Sequence, residues 1–140
     1  MRRALVLFAT LLPAAAWPQG NPMGPEFRVN TYTTSFQASP SVASDSSGNF
    51  VVTWAGFAQD GSSIGIFGQR YASSGAPLGP ESRVNTYTTN SQRYPSVAAV
   101  ASGDFVVTRM SYAPGAPSFD VFGQRYGQIV PVELMHFRLE

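Results

Sequence analysis

The amino-acid sequence predicts an all-β fold of two tandem antiparallel sheets, each of about four strands. Residues 24–34, GPEFRVNTYTT, return 55 positions later as residues 79–89, GPESRVNTYTT, and FGQRY at 67–71 returns at 122–126 with the same spacing. Inside each copy, apolar and polar residues alternate in short runs, which is the pattern of half-buried strands. Gly, Pro, Ser and Asn separate the runs, as in turns between short strands. A repeat with this content predicts two similar β units.

The strands of the first copy follow one another in a fixed order. They are expected at residues 27–34, 40–43, 50–54 and 64–71. Residues 45–49, DSSGN, are expected to turn, because Asp and Ser bond nearby backbone while Gly and Asn tolerate positive φ. If the first sheet begins at Pro40, its fourth strand comes from residues 83–85, at the start of the second copy. Phe27 to Thr33 is then an extra strand at the front, free to pair with the far end of the chain.

Four strands in roughly 50 residues is the content of one propeller blade. The blocks FRVNTYTT, PSVA, SSGNFVVTW and QDGSSIGIFGQRY resemble a tandem repeat, about 50 residues long, of large secreted bacterial proteins. The resemblance covers Gly24 to Tyr126. It implies a β-propeller-like or β-solenoid extracellular module and carries no catalytic residues with it. The second copy departs from the pattern, because Trp54 becomes Arg109 and the QDGS loop is lost.

Closure is the physical difficulty of a two-blade protein. Propellers typically have four to eight blades, and two blades leave exposed strand edges. Three arrangements meet this difficulty: self-association that completes a ring, a β-sandwich of the two sheets packed face to face, or a shortened relative of a longer array. The β-sandwich is therefore the alternative to two propeller-like blades.

The N-terminal residues have the pattern of a secretory signal peptide. Arg2 and Arg3 precede the apolar residues 4–12, and the small residues 14–16 suit cleavage. The alternative is a buried N-terminal helix, since the apolar run is short for a bilayer span. The predicted division is signal peptide 1–19, linker 20–26, first β repeat 27–78, second β repeat 79–128 and C-terminal strand or tail 129–140. We therefore expect a mature chain that is secreted, extracellular or periplasmic, without a membrane span.

Composition narrows the classes of partner. The net charge is +1, the chain has no Lys, and its nine Arg nearly balance its eight acids. This balance lacks the basic footprint of nucleic-acid binding. The chain has no Cys, which excludes disulfides, thiolate chemistry and zinc–thiolate sites. Stability must then come from packing and backbone hydrogen bonds.

Few residues have the chemistry of an active site. His136 is the single histidine and has no counterpart in the repeat, so a surface position is expected for it rather than a catalytic or metal-binding role. Asp60 contributes one carboxylate to a Gly-Ser turn, whereas a calcium loop needs several oxygen ligands, and its counterpart is Gly115. The turn at Asp45 also loses its first acid in the second copy, where Val100 replaces it. The prediction is therefore no catalytic, cofactor-binding or metal-binding residue, and no cofactor.

The repeated charges and the aromatic residues favour structural roles. Glu26, Arg28 and Arg70 recur as Glu81, Arg83 and Arg125. This recurrence predicts Glu–Arg pairs between adjacent strands or sheets. A sugar-binding platform is conceivable on six aromatic residues, although alternation along strands favours a core position for them. They are Trp54, Phe57, Phe67, Tyr71, Tyr32 and Tyr87.

The predicted function is that of a non-enzymatic secreted or cell-surface β-repeat module with a role in binding or assembly. Its expected partners are another copy of itself or an extracellular protein or glycan, with no nucleic acid. The alternative is a remnant or part of a propeller-type carbohydrate-active or other hydrolytic enzyme. That alternative needs two carboxylates that converge on a pocket, whereas the acids of this chain are scattered over turns and the tail.

Overall fold

The computed structural model describes residues 21–112 and 118–127, and its regular structure is entirely β. The strands are β1 (Gln37–Ser44), β2 (Phe50–Phe57), β3 (Ile64–Tyr71), β4 (Ser82–Arg83), β5 (Gln92–Ala99), β6 (Phe105–Tyr112) and β7 (Phe119–Tyr126). Strands β1 to β4 form one antiparallel sheet in chain order, and β5 to β7 form a second. The prediction of an all-β fold with two antiparallel sheets is confirmed. The predicted signal peptide, 1–19, and the C-terminal strand or tail, 129–140, lie outside the described residues.

The two sheets are local copies of each other. Their first strands carry the same irregularity, between Ala38 and Ser41 in β1 and between Arg93 and Ser96 in β5. The turns after these strands also match, because the amide of Asp45 donates to the carbonyl of residue 49 and the amide of residue 100 donates to that of residue 104. Glycines with positive φ occupy equivalent places in both turns, at positions 48 and 103. This backbone geometry explains how the second turn forms without the first turn's Asp.

The expected extra strand at Phe27 to Thr33 is wrong. This segment pairs with no strand of the described residues, and it lies instead against the first sheet. The Tyr71 hydroxyl donates to the carbonyl of Val29 at 3.1 Å, and the Tyr71 ring contacts Phe27. The repeat-equivalent segment contains β4, which pairs with β3 of the sheet before it. Phe27 to Thr33 meets no such strand edge among the described residues.

The two sheets stack front to back. We call the side of the first sheet that bears Val51, Thr53, Ala55 and Ile66 its front face, and the opposite side its back face. Each residue of the second sheet is assigned to the same face, front or back, as the residue 55 positions before it in the first sheet. Strand β5 packs across β1, β2 and β3. The core therefore joins the front face of the first sheet to back-face residues of the second: Val51, Ala55, Ile64, Ile66, Val84, Val97 and Val107, with Ala43, Phe105 and Tyr126 packed against them.

Candidate functional site

The junction between the sheets is organised by one buried amide. Asn85 follows β4, and its side-chain oxygen accepts the amide proton of Ile66 at 2.7 Å. Its Nδ2 donates to the carbonyl of Tyr87 at 2.9 Å and faces Oε1 of Gln92 and Oδ2 of Asp60, each at 3.3 Å. One side chain thus joins the edge of β3 to the start of the second sheet. Sequence reasoning missed this role, although the repeated VNTY block that contains Asn85 was its signal.

Among the described residues, the equivalent amides at the front of the chain have no such long-range partners. Asn30 keeps the local bond, from its Nδ2 to the carbonyl of Tyr32 at 2.7 Å. In the second copy, Gln92 donates to the carbonyl of Thr89 and accepts from Asn85. Its counterpart Gln37 has both side-chain polar atoms buried without a hydrogen-bond partner among the described residues. An unpaired buried amide is costly, so the site around Gln37 is incomplete.

The front face of the second sheet is uncovered. Ile66 in the first sheet has none of its surface exposed, whereas its equivalent Val121 is 77% exposed. On the back face, Val97 of the second sheet is 9% exposed, whereas its equivalent Val42 of the first sheet is 64% exposed. Trp54 on the same face of the first sheet is buried, so the exposed part of that face is the part around Val42. The front face of the second sheet and the surface around Val42 therefore present to solvent residues whose equivalents are packed, and exposed apolar surfaces of this kind are candidates for interaction.

An apolar cleft of about 300 Å³ lies between the two sheets at their outer end. Val84, Phe105 and Tyr126 are among its lining residues. Arg70 also lines it, with its guanidinium carbon 5.6 Å from the centre of the Phe105 ring. The Tyr126 hydroxyl donates to the carbonyl of Val84 at 3.2 Å, and burial raises the pKa of this phenol. Thr53 contributes a fully buried hydroxyl without a hydrogen-bond partner in the described part of the chain. The cleft offers apolar contact and one guanidinium.

The carboxylates near the junction are bound to amides and hydroxyls. Glu81 accepts from the backbone amide of Thr31 at 2.7 Å, from the hydroxyl of Thr31 at 2.9 Å and from the side-chain amide of Gln59. Asp60 faces Nδ2 of Asn85 and accepts from the amide of Ser62. Through these hydrogen bonds both acids stabilise the junction.

The predicted Glu–Arg pairs do not form among the described residues. The Nε atoms of Arg28 and Arg83 donate to carbonyls two residues later in their own segments, those of residues 30 and 85, at 3.1 and 3.0 Å. Glu81 is satisfied by Thr31 and Gln59 instead. The repetition of Arg therefore preserves one local hydrogen bond in both copies. The physical reason that Glu81 is not paired with Arg is that its carboxylate accepts from Thr31 and Gln59, while the Arg Nε atoms donate to carbonyls two residues later.

The turn after β1 is stabilised by Asp45. Its carboxylate accepts from the side chain of Asn49 at 2.9 Å and from the amides of Ser47 and Asn49 at 2.8 and 3.0 Å. The side-chain bond from Asn49, together with the backbone amides, holds the pKa of Asp45 below its ordinary value. Asp45 therefore acts as a turn-forming residue, which is the role that the sequence predicted for it.

The aromatic residues proposed as a sugar-binding platform are divided between core and surface. Trp54, Phe67 and Tyr71 are buried, so they cannot stack on a sugar, and the core prediction is confirmed for these three. Phe57 is partly exposed and stacks on Phe36 with ring centres 5.2 Å apart. The two remaining residues, at positions 32 and 87, are half-buried.

Arg109 occupies the place of Trp54 in the second sheet. It is buried, its Nε has no hydrogen-bond partner in the described ranges, and its guanidinium carbon lies 5.6 Å from the centre of the Phe122 ring. Burial lowers the pKa of this guanidinium, and the proximity of Tyr126 partly offsets the effect. A buried cation in an apolar position weakens the packing of the second sheet relative to the first.

Other predicted features fall partly outside the described residues. His136 lies outside them. Within residues 21–112 and 118–127, no cluster of three or more His, Cys, Asp or Glu side chains is placed to hold a metal ion. The same ranges contain no helix that is long and apolar enough to cross a membrane.

The chain matches no family model, no curated protein and no solved structure. The geometry of the two sheets and of their exposed faces is therefore the basis on which a function can be proposed.

Proposed function

We propose that this chain is a non-enzymatic, secreted or cell-surface β-repeat module whose role is binding or assembly. The observation that carries the proposal is the unequal burial of equivalent residues. Ile66 is fully buried while Val121 is 77% exposed, although both occupy the same place in their sheets. A monomeric soluble protein rarely leaves a packing face uncovered unless that face meets a partner. The proposed location outside the cell rests on the signal-peptide pattern at residues 1–19.

The positions of the acids support a binding role over a hydrolytic one. Glycoside hydrolysis needs two carboxyl groups on either side of one bond. Asp45 is bonded to its own turn, and Asp60 and Glu81 are bonded to amides and hydroxyls at the junction. The clefts that contain Asp45 and Glu81 are each lined by one acid, and the apolar cleft between the sheets is lined by none among the described residues.

The experiment uses the mature chain, residues 20–140. It is assayed against chromogenic glycosides, esters and peptides, and in parallel for saturable binding to immobilised bacterial cell-surface glycans and proteins. We expect binding without turnover. A matched pair of variants, Val121→Asp and Ser74→Asp, separates the exposed front face from an exposed turn on the surface. Turnover that disappears on substitution of one polar residue would contradict the proposal.

Export is tested separately. The full chain with a C-terminal tag is expressed in a bacterial host, and the mass of the tagged product in the periplasm or medium is measured. We expect a product shortened by about the length of residues 1–19. Retention of the full-length chain in the cytoplasm would contradict the extracellular part of the proposal.

A further inference from the structure

The junction inside the chain is a template for contacts between chains. At this junction, residues 82–85 lead from the first sheet to the second sheet and remain hydrogen-bonded to β3 of the first sheet. Arg83 pairs with Phe67, the amide of Val84 donates to the carbonyl of Ile66 at 2.7 Å, and Asn85 accepts from the amide of Ile66. The back face of the second sheet then covers the front face of the first. The two surfaces that meet at this junction occur again in the described structure, one at its C-terminal end and the other at its N-terminal end.

The C-terminal half of the template is the front face and outer edge of the second sheet. By the 55-residue equivalence, Val121 takes the place of Ile66, and Phe122 takes the place of Phe67. Strand β7 pairs with β6 on one side, and no strand of the described residues pairs with its other side. Ser96 is exposed here, whereas its equivalent Ser41 accepts a hydrogen bond from the backbone amide of Val97 at 3.2 Å. This end therefore presents an apolar face beside an unpaired strand edge.

The N-terminal half of the template is residues 27–30 together with the back face of the first sheet. The Tyr71 hydroxyl donates to the carbonyl of residue 29 and so holds residues 27–30 on the first sheet. In the same way, the Tyr126 hydroxyl donates to the equivalent carbonyl, that of residue 84, and holds residues 82–85 on the second sheet. Their local side-chain bonds also match, from the Arg Nε to a carbonyl two residues later in each copy. Val42 is 64% exposed, and the buried amide of Gln37 is without a partner in the described structure. The segment is thus arranged as residues 82–85 are, but it pairs with no strand edge of the described residues.

Building on the proposed binding or assembly role, we propose that the mature chain self-associates head to tail. The back face of the first sheet of one copy covers the front face of the second sheet of the copy before it. Residues 27–30 of the later copy add as a fourth strand to β7 of the earlier copy. In this arrangement Arg28 pairs with Phe122, and the amide of Val121 donates to the side chain of Asn30, as Ile66 does to Asn85 within one chain.

The proposed contact joins two different surfaces, so it is heterologous and each copy keeps one unused surface. Such a contact continues until the rotation between copies closes a ring. Since propeller rings typically contain four to eight blades, and each copy supplies two sheets, a closed ring takes about two to four copies. Added strands contribute main-chain hydrogen bonds, and the apolar faces contribute burial.

The competing occupant of the β7 edge is the chain's own C-terminal segment. Phe137, Arg138 and Leu139 stand 55 residues after Ser82, Arg83 and Val84, and they match Phe27 and Arg28 in type. The described residues favour a second copy, since a strand on the β7 edge leaves the exposed Val42 unexplained. A variant that ends at residue 128 distinguishes the two occupants.

The experiment measures the mass of the mature chain by sedimentation and light scattering over a concentration series from micromolar upward. We expect the average mass to rise with concentration toward two to four copies. Val42→Asp blocks the N-terminal surface, and Val121→Asp blocks the C-terminal surface. Each variant alone is expected to remain at the monomer mass, while an equal mixture forms a complex of one copy of each. Only a heterologous contact produces this complementation, and the mixed complex also shows that both variants fold.

Three results would overturn the inference. These are a wild-type chain that stays monomeric at every concentration, a single-face variant that still forms dimers, and assembly that appears only after the C-terminal residues are removed. The last result would assign the β7 edge to the chain's own tail. Retained binding to glycans or other proteins by a strictly monomeric chain would overturn self-association and leave the proposed binding function intact.

Discussion

Two valines at equivalent positions allow the front-to-back stacking to be tested with one chemical change. Val97 and Val42 both lie on back faces, 55 residues apart, but Val97 is 9% exposed and Val42 is 64% exposed. Replacing either by Ala removes two carbon atoms, worth about 0.8 kcal/mol each when fully buried. The residue type, the neighbouring sequence and the strand are matched, so burial is the variable that differs.

The expected losses differ by a factor of about four. Val97→Ala removes nearly all of the transfer free energy and leaves a cavity against the first sheet, for a loss of about 2 kcal/mol in the free energy of unfolding. At Val42 roughly a third of the side chain is buried, so Val42→Ala should cost about 0.5 kcal/mol. With a urea m-value of about 2 kcal/mol/M, the midpoint falls by about 1 M for Val97→Ala and by about 0.25 M for Val42→Ala.

The assay is urea unfolding followed by tryptophan fluorescence and circular dichroism, at a protein concentration low enough to keep the chain monomeric. Equal losses for the two variants would refute the stacking, because they would require both valines to be buried to the same extent. At high protein concentration the cost of Val42→Ala should rise toward that of Val97→Ala, since a second copy covers Val42 in the proposed assembly.

Four further substitutions test the junction, the buried cation and the turn. Asn85→Ala should reduce the free energy of unfolding by about 2–4 kcal/mol, because it leaves buried partners unsatisfied. Asn30→Ala should cost less than about 1 kcal/mol in the monomer, because one local bond is lost. Equal costs of the two variants in urea unfolding would contradict the role of Asn85 at the junction. Arg109→Met should raise stability by about 1 kcal/mol by removing an incompletely bonded buried cation, and a lower melting temperature would count against this account. Because the folded-state pKa of Asp45 lies below its ordinary 3.8, its stabilising contribution is present above that pH and disappears as pH falls through the lower folded value. Asp45→Asn should accordingly flatten the decline of the urea midpoint below pH 3.8, and an unchanged decline would refute the assignment.

Much of the fold was predictable because the information is local. The alternation of apolar and polar residues predicted strands at 50–54 and 64–71, and the structure has strands there, β2 and β3. Turn chemistry placed Asp45 correctly. The early start of β1 at Gln37 was missed, since it depends on a strand irregularity with positive φ at Ser39, a conformation that Ser seldom adopts and that the sequence does not signal.

The errors concern partners that lie far away in the chain. Phe27 to Thr33 has the composition of a strand, but strand formation also needs a partner edge, and this segment pairs with no strand of the described residues. The roles of Glu81 and Asn85 depend on contacts with Thr31 and Ile66. These contacts arise from how the two sheets stack, which residue type and periodicity do not specify. The exposure of the front face of the second sheet could likewise not be predicted, because the two copies of the repeat have nearly the same pattern of apolar residues.

Hydrogen exchange at Ile66 and Val121 tests the central claim most directly. The two amides occupy equivalent positions on the outer edges of β3 and β7, and only that of Ile66 is bonded within the described chain, to Asn85. In dilute solution we expect slow exchange at Ile66 and fast exchange at Val121, with exchange at Val121 slowing as concentration rises. Equal protection of both amides at every concentration would contradict front-to-back stacking with an open end.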